Sequence, residues 1–195
     1  MNLHKTLTFA HEMHAGVNDW TGVPYITHPV FVMLSLPASC SEEDKHIALL
    51  HDVVEDCKGR LIEKFDLEQP HHQDQIPKEW QDKENQLLLE KIFSSFEKYG
   101  YSPYIIEGLR LLTRDCWDGL TYLEYVKNII ESNHEGAMWV KYCDNKHNNS
   151  IERRAKLPEQ LLEKSTQMAK RYDKSIALLE EALTTCIVKR TNGLG

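Results

Sequence analysis

Apolar residues recur three and four positions apart along most of the chain, the period of helices with one buried face. Leu3, Leu7, Ala10 and Met13 set this rhythm, and the stretch from Gly16 to Gly22 breaks it, so a turn-rich loop follows the first helix. Pro29 fits the first turn of a second helix carrying Val30, Met33, Leu34 and Leu36, stopped near Pro37. This puts His28 at a helix entrance. Ser41 with Glu42, Glu43 and Asp44 forms a capped, acidic first turn, and Ile47, Ala48 and Leu50 lead into His51 to Asp56 as the continuation of that helix.

Pro77 to Tyr99 reads as a long helix ended by Gly100, and Ser102-Pro103 opens the next. Thr121 and Glu124 form a capping box before Tyr125, Val126, Ile129 and Ile130. Ala137 to Ile151 is a further helix, and Pro158 begins a last one through Leu161, Met168, Tyr172, Ile176, Leu179 and Leu183. No period-two strand or internal repeat stands out. The pattern predicts an all-α bundle of roughly eight helices in a single domain over 1–195, with Gln69 to Gln75 as a mobile loop. Trp80, Phe93, Phe96, Tyr99 and Tyr101, at helical spacing, are expected in its core.

Composition narrows the function. With 41% apolar and 27% charged residues the chain falls in the range of ordinary soluble domains. Its formal charge of −7 disfavours a nucleic acid polymer as partner. A small phosphorylated nucleotide stays compatible, because a metal and a few cations reverse the field inside one pocket. Five scattered cysteines without a C-x-x-C pair point to a reducing compartment, and the absence of a long apolar run points to no membrane partner. A cytoplasmic location is expected; oligomeric state is left open.

Three patches carry chemistry. His51-Asp52-Val53-Val54-Glu55-Asp56 follows an apolar run and, on a continuous helix, stacks His51 with Glu55 and Asp52 with Asp56. Carboxylates at a core edge are costly unless they meet a cation, and a metal would resolve that cost. Lys141, Asp144 and Asn148, spaced three and four apart, bring a cation, a carboxylate and an amide to one helix face. The third patch, Gly22-Val23-Pro24-Tyr25-Ile26-Thr27-His28-Pro29, offers an imidazole on a backbone stiffened by Pro29.

Together these patches resemble the G-x-P-Y-I-x-H-P, H-D-x-x-E-D and V-K-x-x-D-x-x-x-N signatures of HD-superfamily phosphohydrolases, above all the Rel/SpoT hydrolase domain and the small alarmone hydrolases. The resemblance runs from about Ala10 to Asn148. It implies an HD-domain helical bundle with one divalent metal, usually Mn²⁺, on His28, His51, Asp52 and Asp144. It further implies catalytic roles for Glu55 and Asp56, and substrate contacts from Lys141, Asn148 and Thr21; Trp20 would add a face on which a nucleobase stacks. The nearest family activity is guanosine 3′,5′-bispyrophosphate 3′-pyrophosphohydrolase. A 5′-nucleotidase-like phosphomonoesterase and a catalytically silent nucleotide-binding protein are the alternatives. The chain departs from the alarmone pattern at Asp19 and Trp20, where those relatives carry Arg and Lys, and the 66–98 connection is longer than theirs. Its basic pair comes late, at Arg153-Arg154. The remaining histidines, His11, His14, His71, His72 and His147, are read as surface residues or as supports of the metal ligands.

Overall fold

The computed structural model describes residues 1–68, 78–117 and 119–193; the loop expected at Gln69 to Gln75, and with it part of the 66–98 insertion, lies outside them. The described residues are all-helical. Their α-helices are α1 (Leu3–Met13), α2 (Thr27–Leu34), α3 (Glu42–Leu50), α4 (Val53–Asp56), α5 (Lys58–Lys64), α6 (Lys78–Lys98), α7 (Pro103–Leu112), α8 (Tyr122–Glu131), α9 (Glu135–Asn148), α10 (Ile151–Arg154) and α11 (Leu162–Thr191). Short 3₁₀ turns at Arg114–Trp117 and Glu159–Leu161 link α7 to α8 and lead into α11. None of the described helices is long and apolar enough to cross a membrane.

Among the described residues there are eleven α-helices against roughly eight expected: the helix foreseen from Ser41 through Asp56 is broken in two, α5 was not foreseen, and α10 stands apart from the helix expected over Ala137 to Ile151. Asp52 adopts φ −99° and ψ −8°, near the sparsely allowed bridge region, so α3 ends at Leu50 and α4 starts at Val53. The start of α3 follows the sequence closely. Ser41 accepts from the Asp44 amide while Asp44 Oδ2 accepts from the Ser41 amide, a reciprocal cap that satisfies two otherwise unpaired donors. Thr121 and Glu124 repeat the device at α8, and Ser102 with Pro103 opens α7.

α3 runs through the middle of the bundle, against α1, α2, α7 and α9. Its Ile47, Ala48, Leu49 and Leu50 are fully buried. α11 packs along α8 and α9 on the other side. Phe93, Phe96 and Tyr101 belong to the core as expected, but Trp80 and Tyr99 are exposed. Trp80 sits in the first turn of α6, before the apolar face of that helix meets the bundle at Leu88, and Tyr99 lies just past its end. Periodicity places a residue on a helix face but does not say how far along the helix that face stays covered.

Buried polar links fix the helices around the later site. Asn145 accepts from the Tyr122 hydroxyl at 2.6 Å and donates to Ser175 Oγ at 2.6 Å, tying α9 to α8 and α11. The Tyr125 hydroxyl donates to the Leu112 carbonyl at 2.7 Å. Where α9 begins, Gly136 lies against Asp44 and Tyr104, and the Tyr104 hydroxyl donates to Asp44 Oδ1 at 2.9 Å. A Cβ on residue 136 would collide with that carboxylate. Gly136→Ala should therefore destabilise the fold by about 1–3 kcal/mol through overpacking, seen as a lower urea midpoint with an unchanged denaturant slope.

Candidate metal centre and cavity

Four elements deliver the site. Gly16 (φ +72°) and Gly22 (φ +81°) allow the loop after α1 to double back, with Asp19 N–H donating to the Val23 carbonyl and Tyr25 N–H to the Val17 carbonyl, each at 2.8 Å. That return places Tyr25 below the loop and His28 in the first turn of α2. The break between α3 and α4 contributes His51 and Asp52. On a regular helix adjacent side chains diverge by ~100°; the irregular turn instead leaves His51 Nε2 only 3.0 Å from Asp52 Oδ2. α9 contributes Asp144.

His28, His51 and Asp144 are 1%, 3% and 4% exposed, and one donor atom from each lies within 4.8 Å of the other two, a group that could hold a metal ion. Asp52, the fourth expected ligand, borders this group: its Oδ2 is 3.5 Å from His28 Nε2 and accepts the Tyr25 hydroxyl at 2.6 Å. His28 Nε2 stands 3.2 Å from Asp144 Oδ1. His51 Nδ1 pairs with the Ala48 carbonyl at 2.8 Å, which puts the ring proton there and leaves Nε2 as a lone-pair donor. That Nε2 is buried and makes no hydrogen bond within the protein. An orphaned imidazole nitrogen aimed at carboxylates is what a divalent cation satisfies, and two imidazoles with carboxylate oxygens suit Mn²⁺, Fe²⁺, Zn²⁺ or Ni²⁺.

Asp144 also accepts from Lys141 Nζ at 3.0 Å and Asn148 Nδ2 at 2.5 Å. Burial pushes its carboxyl up, but Lys141 and the two histidines outweigh this and hold it below the ordinary range. Asp52 is held down in the same way by His51 and His28. Burial disfavours the charged form of His51, yet Asp52 and Asp144 raise it to about 9. Without a cation the cluster thus stores its compensation in protonated imidazoles.

A cavity of about 610 Å³ opens beside this group, with Asp52 and Asp144 in its wall. Glu55 and Asp56 line it too, both raised by burial and by the nearby Asp52, Asp56 to about 6. Glu55 Oε2 also accepts the Arg114 amide at 3.0 Å, which anchors the turn after α7. Lys141, Asn148 and Trp20, expected at the substrate, line the cavity, and Lys164 Nζ lies 4.7 Å from the Trp20 ring centroid. Thr21 does not line it; its amide and hydroxyl both donate to Asp19 Oδ1.

Several lining residues had no assigned role in the sequence. Tyr25 stands inside a quoted motif, and its hydroxyl on Asp52 marks it as a support of the site. Arg114, Tyr122, Tyr125 and Tyr172 come from outside the three patches, where spacing gives no signal. Among the spare histidines, His14 is buried, lines the cavity and is pushed down to about 4 by burial, while His147 lies edge to edge with His28. His11 is exposed, and His71 and His72 lie outside the described residues.

A scan against protein-family models and a search among curated proteins return no match to this chain.

The cluster has a pH signature. The folded pKa of His51 lies above its unfolded value, so protonation contributes stability that is complete below about 6.5 and is lost as pH rises through about 9. The depressed Asp52 and Asp144 add stability above their unfolded values, lost in acid. Chelator-treated protein should therefore show a melting temperature that falls between pH 6.5 and 9, and His51→Gln should flatten that slope. An equal slope in the variant would assign the titration elsewhere.

Proposed function

We propose that this chain is a metal-dependent phosphohydrolase of the HD type, acting on a small phosphorylated nucleotide in a reducing, cytoplasmic setting. The observation that carries this reading is the juxtaposition of the buried His28, His51 and Asp144 group, bordered by Asp52, with two further carboxylates and several cations around one cavity. The motif resemblance and the net charge of −7, which disfavours a polymeric phosphate, support it further.

His28, His51 and Asp144, with Asp52 beside them, would hold the cation. A divalent ion there, Mn²⁺ by resemblance, supplies Lewis acidity towards a phosphoryl oxygen and a water. The chain's own groups do the rest. Glu55 and Asp56 face the cavity with carboxyls raised by burial, the condition for accepting a proton from water near neutral pH. Lys141, fixed between Asp144 and the rings of Tyr122 and Tyr125, holds a positive charge at the cavity wall. Arg114 and Arg154 add two more to the same wall, where phosphate oxygens would be bound. Asn148 keeps Asp144 oriented through its amide. Tyr25 keeps Asp52 oriented through its hydroxyl.

The nearest substrate by resemblance is guanosine 3′,5′-bispyrophosphate. A phosphomonoesterase acting on simple nucleoside monophosphates is the second reading, favoured by Asp19: its carboxylate is spent on the loop and on Arg153, so it supplies no cation of the alarmone type.

Mn²⁺-loaded protein should release pyrophosphate or phosphate from one member of a nucleotide panel. Asp144→Asn should abolish turnover. Of Glu55→Gln and Asp56→Asn, the one that removes the proton acceptor should lower kcat by roughly 10²–10⁴-fold. Release of orthophosphate from monophosphates alone would select the second reading, and no turnover on the whole panel with full metal occupancy would leave a nucleotide-binding protein.

A further inference from the structure

The two ring nitrogens of His28 meet different surroundings. Nε2 faces the carboxylates of the metal group, and Nδ1 lies 2.7 Å from Nδ1 of His147. Two imidazole nitrogens at that distance share one proton, one donating and the other accepting. Arg153 Nη1 is 3.0 Å from His147 Nδ1 and 3.2 Å from His28 Nδ1, and a guanidinium only donates. A metal on His28 Nε2 needs that nitrogen bare, so the ring proton sits on Nδ1 and is donated to His147. His147 Nδ1 then accepts from His28 and Arg153 together, and carries its own proton on Nε2. With Nε2 of His28 bare, this is the assignment that makes the 2.7 Å contact a hydrogen bond; Arg153 Nη1 then donates to His147 Nδ1 alone, since His28 Nδ1 at 3.2 Å is itself a donor.

The supports of this assignment are themselves held. Arg153 Nη2 reaches Asp19 Oδ2 at 3.2 Å, and both side chains are largely buried. Asp19 Oδ1 accepts from the Thr21 amide and hydroxyl and from the Val23 amide, at 2.7 to 3.1 Å. The His147 ring lies edge to edge and nearly coplanar with His28 (centroids 4.9 Å, 12° between planes) and stacks on Phe31 (4.0 Å, 20°), which fixes its plane.

We propose that His147, locked by the Asp19–Arg153 pair, is a positioning residue that holds His28 in the Nδ1–H tautomer and so presents its Nε2 to a divalent cation. This rests on the metal site argued above. It also gives a role to Asp19 and Arg153, neither of which is a ligand, because together they set the acceptor on which a ligand depends.

The test is Co²⁺ binding to the full chain, followed by calorimetry and by the visible ligand-field spectrum. His147→Phe keeps an aromatic ring on Phe31 but removes the acceptor; it should weaken Co²⁺ binding by roughly 10–100-fold, the usual cost of losing such a support. Arg153→Met should also weaken it, by a smaller factor. Long-range ¹H–¹⁵N spectra of the Zn²⁺-loaded native protein should place protons on His28 Nδ1 and His147 Nε2, a readout that holds even if a variant fails to fold. Native Co²⁺ affinity in a folded His147→Phe protein, or a proton on His147 Nδ1 in the Zn²⁺ form, would overturn the positioning role alone. A native chain that binds no Co²⁺ would overturn the metal site itself, and this inference with it.

Discussion

The burial of Asp144 is the constraint around which the molecule is arranged. An ionised carboxylate this far from water costs several kcal/mol unless opposite charge and hydrogen bonds are supplied in place. Here Lys141 and Asn148 come from its own helix, and the two histidines come from α2 and the end of α3. Lys141 is itself kept in place by the faces of Tyr122 and Tyr125 on α8. The neighbouring Asn145 ties α9 to α8 and α11, so the helix that carries the carboxylate is bonded to two of the helices packed beside it. Core and site therefore share their supports. Loosening α8 or α11 would reach Asp144 through Lys141 and Asn145.

The second dependency is a single irregular residue. Had α3 run on through Asp56, His51 and Asp52 would have diverged around the helix axis, and only one would have faced α2 and α9. With Asp52 near the bridge region, both do. This turn was not legible in the sequence, since nothing from Leu49 to Asp56 is a Gly or Pro and the modest helix propensities of His51, Asp52, Val53 and Val54 do not single out one residue. In the fold it is held by a local bond, His51 to the Ala48 carbonyl, and by a tertiary one, the Tyr25 hydroxyl on Asp52.

Elsewhere the sequence carried much of the answer. Caps at Ser41, Ser102 and Thr121 lie where expected, because capping is a local exchange of hydrogen bonds and local chemistry is written in order. The meeting of His28, His51 and Asp144 was implied by the family resemblance of the patches that carry them, not by their spacing. The cavity walls were not, for Arg114, Tyr122, Tyr125 and Tyr172 gain meaning only when α7, α8 and α11 fold around α9. Trp80 shows the opposite error: a good apolar position on a helix face that extends past the bundle it would cover.

Charge around the cavity shows why residue 19 misleads when read alone. An acid at that position suggests a wall less able to take phosphate. In the fold, Asp19 draws Arg153 to the same wall, so acid and base cancel there and what remains is placement. The lining as a whole carries five acids (Asp19, Asp52, Glu55, Asp56, Asp144) against four bases (Arg114, Lys141, Arg153, Arg154). Counted alone, these groups leave the wall one charge negative; in the metal-free protein the protonated imidazole of His51 beside it offsets that charge, and a divalent cation would take its place. On the proposed function, a phosphate would meet positive charge that comes either from the imidazoles of the cluster or from a cation in their place, so the histidines and the metal would be alternative ways of balancing the same carboxylates.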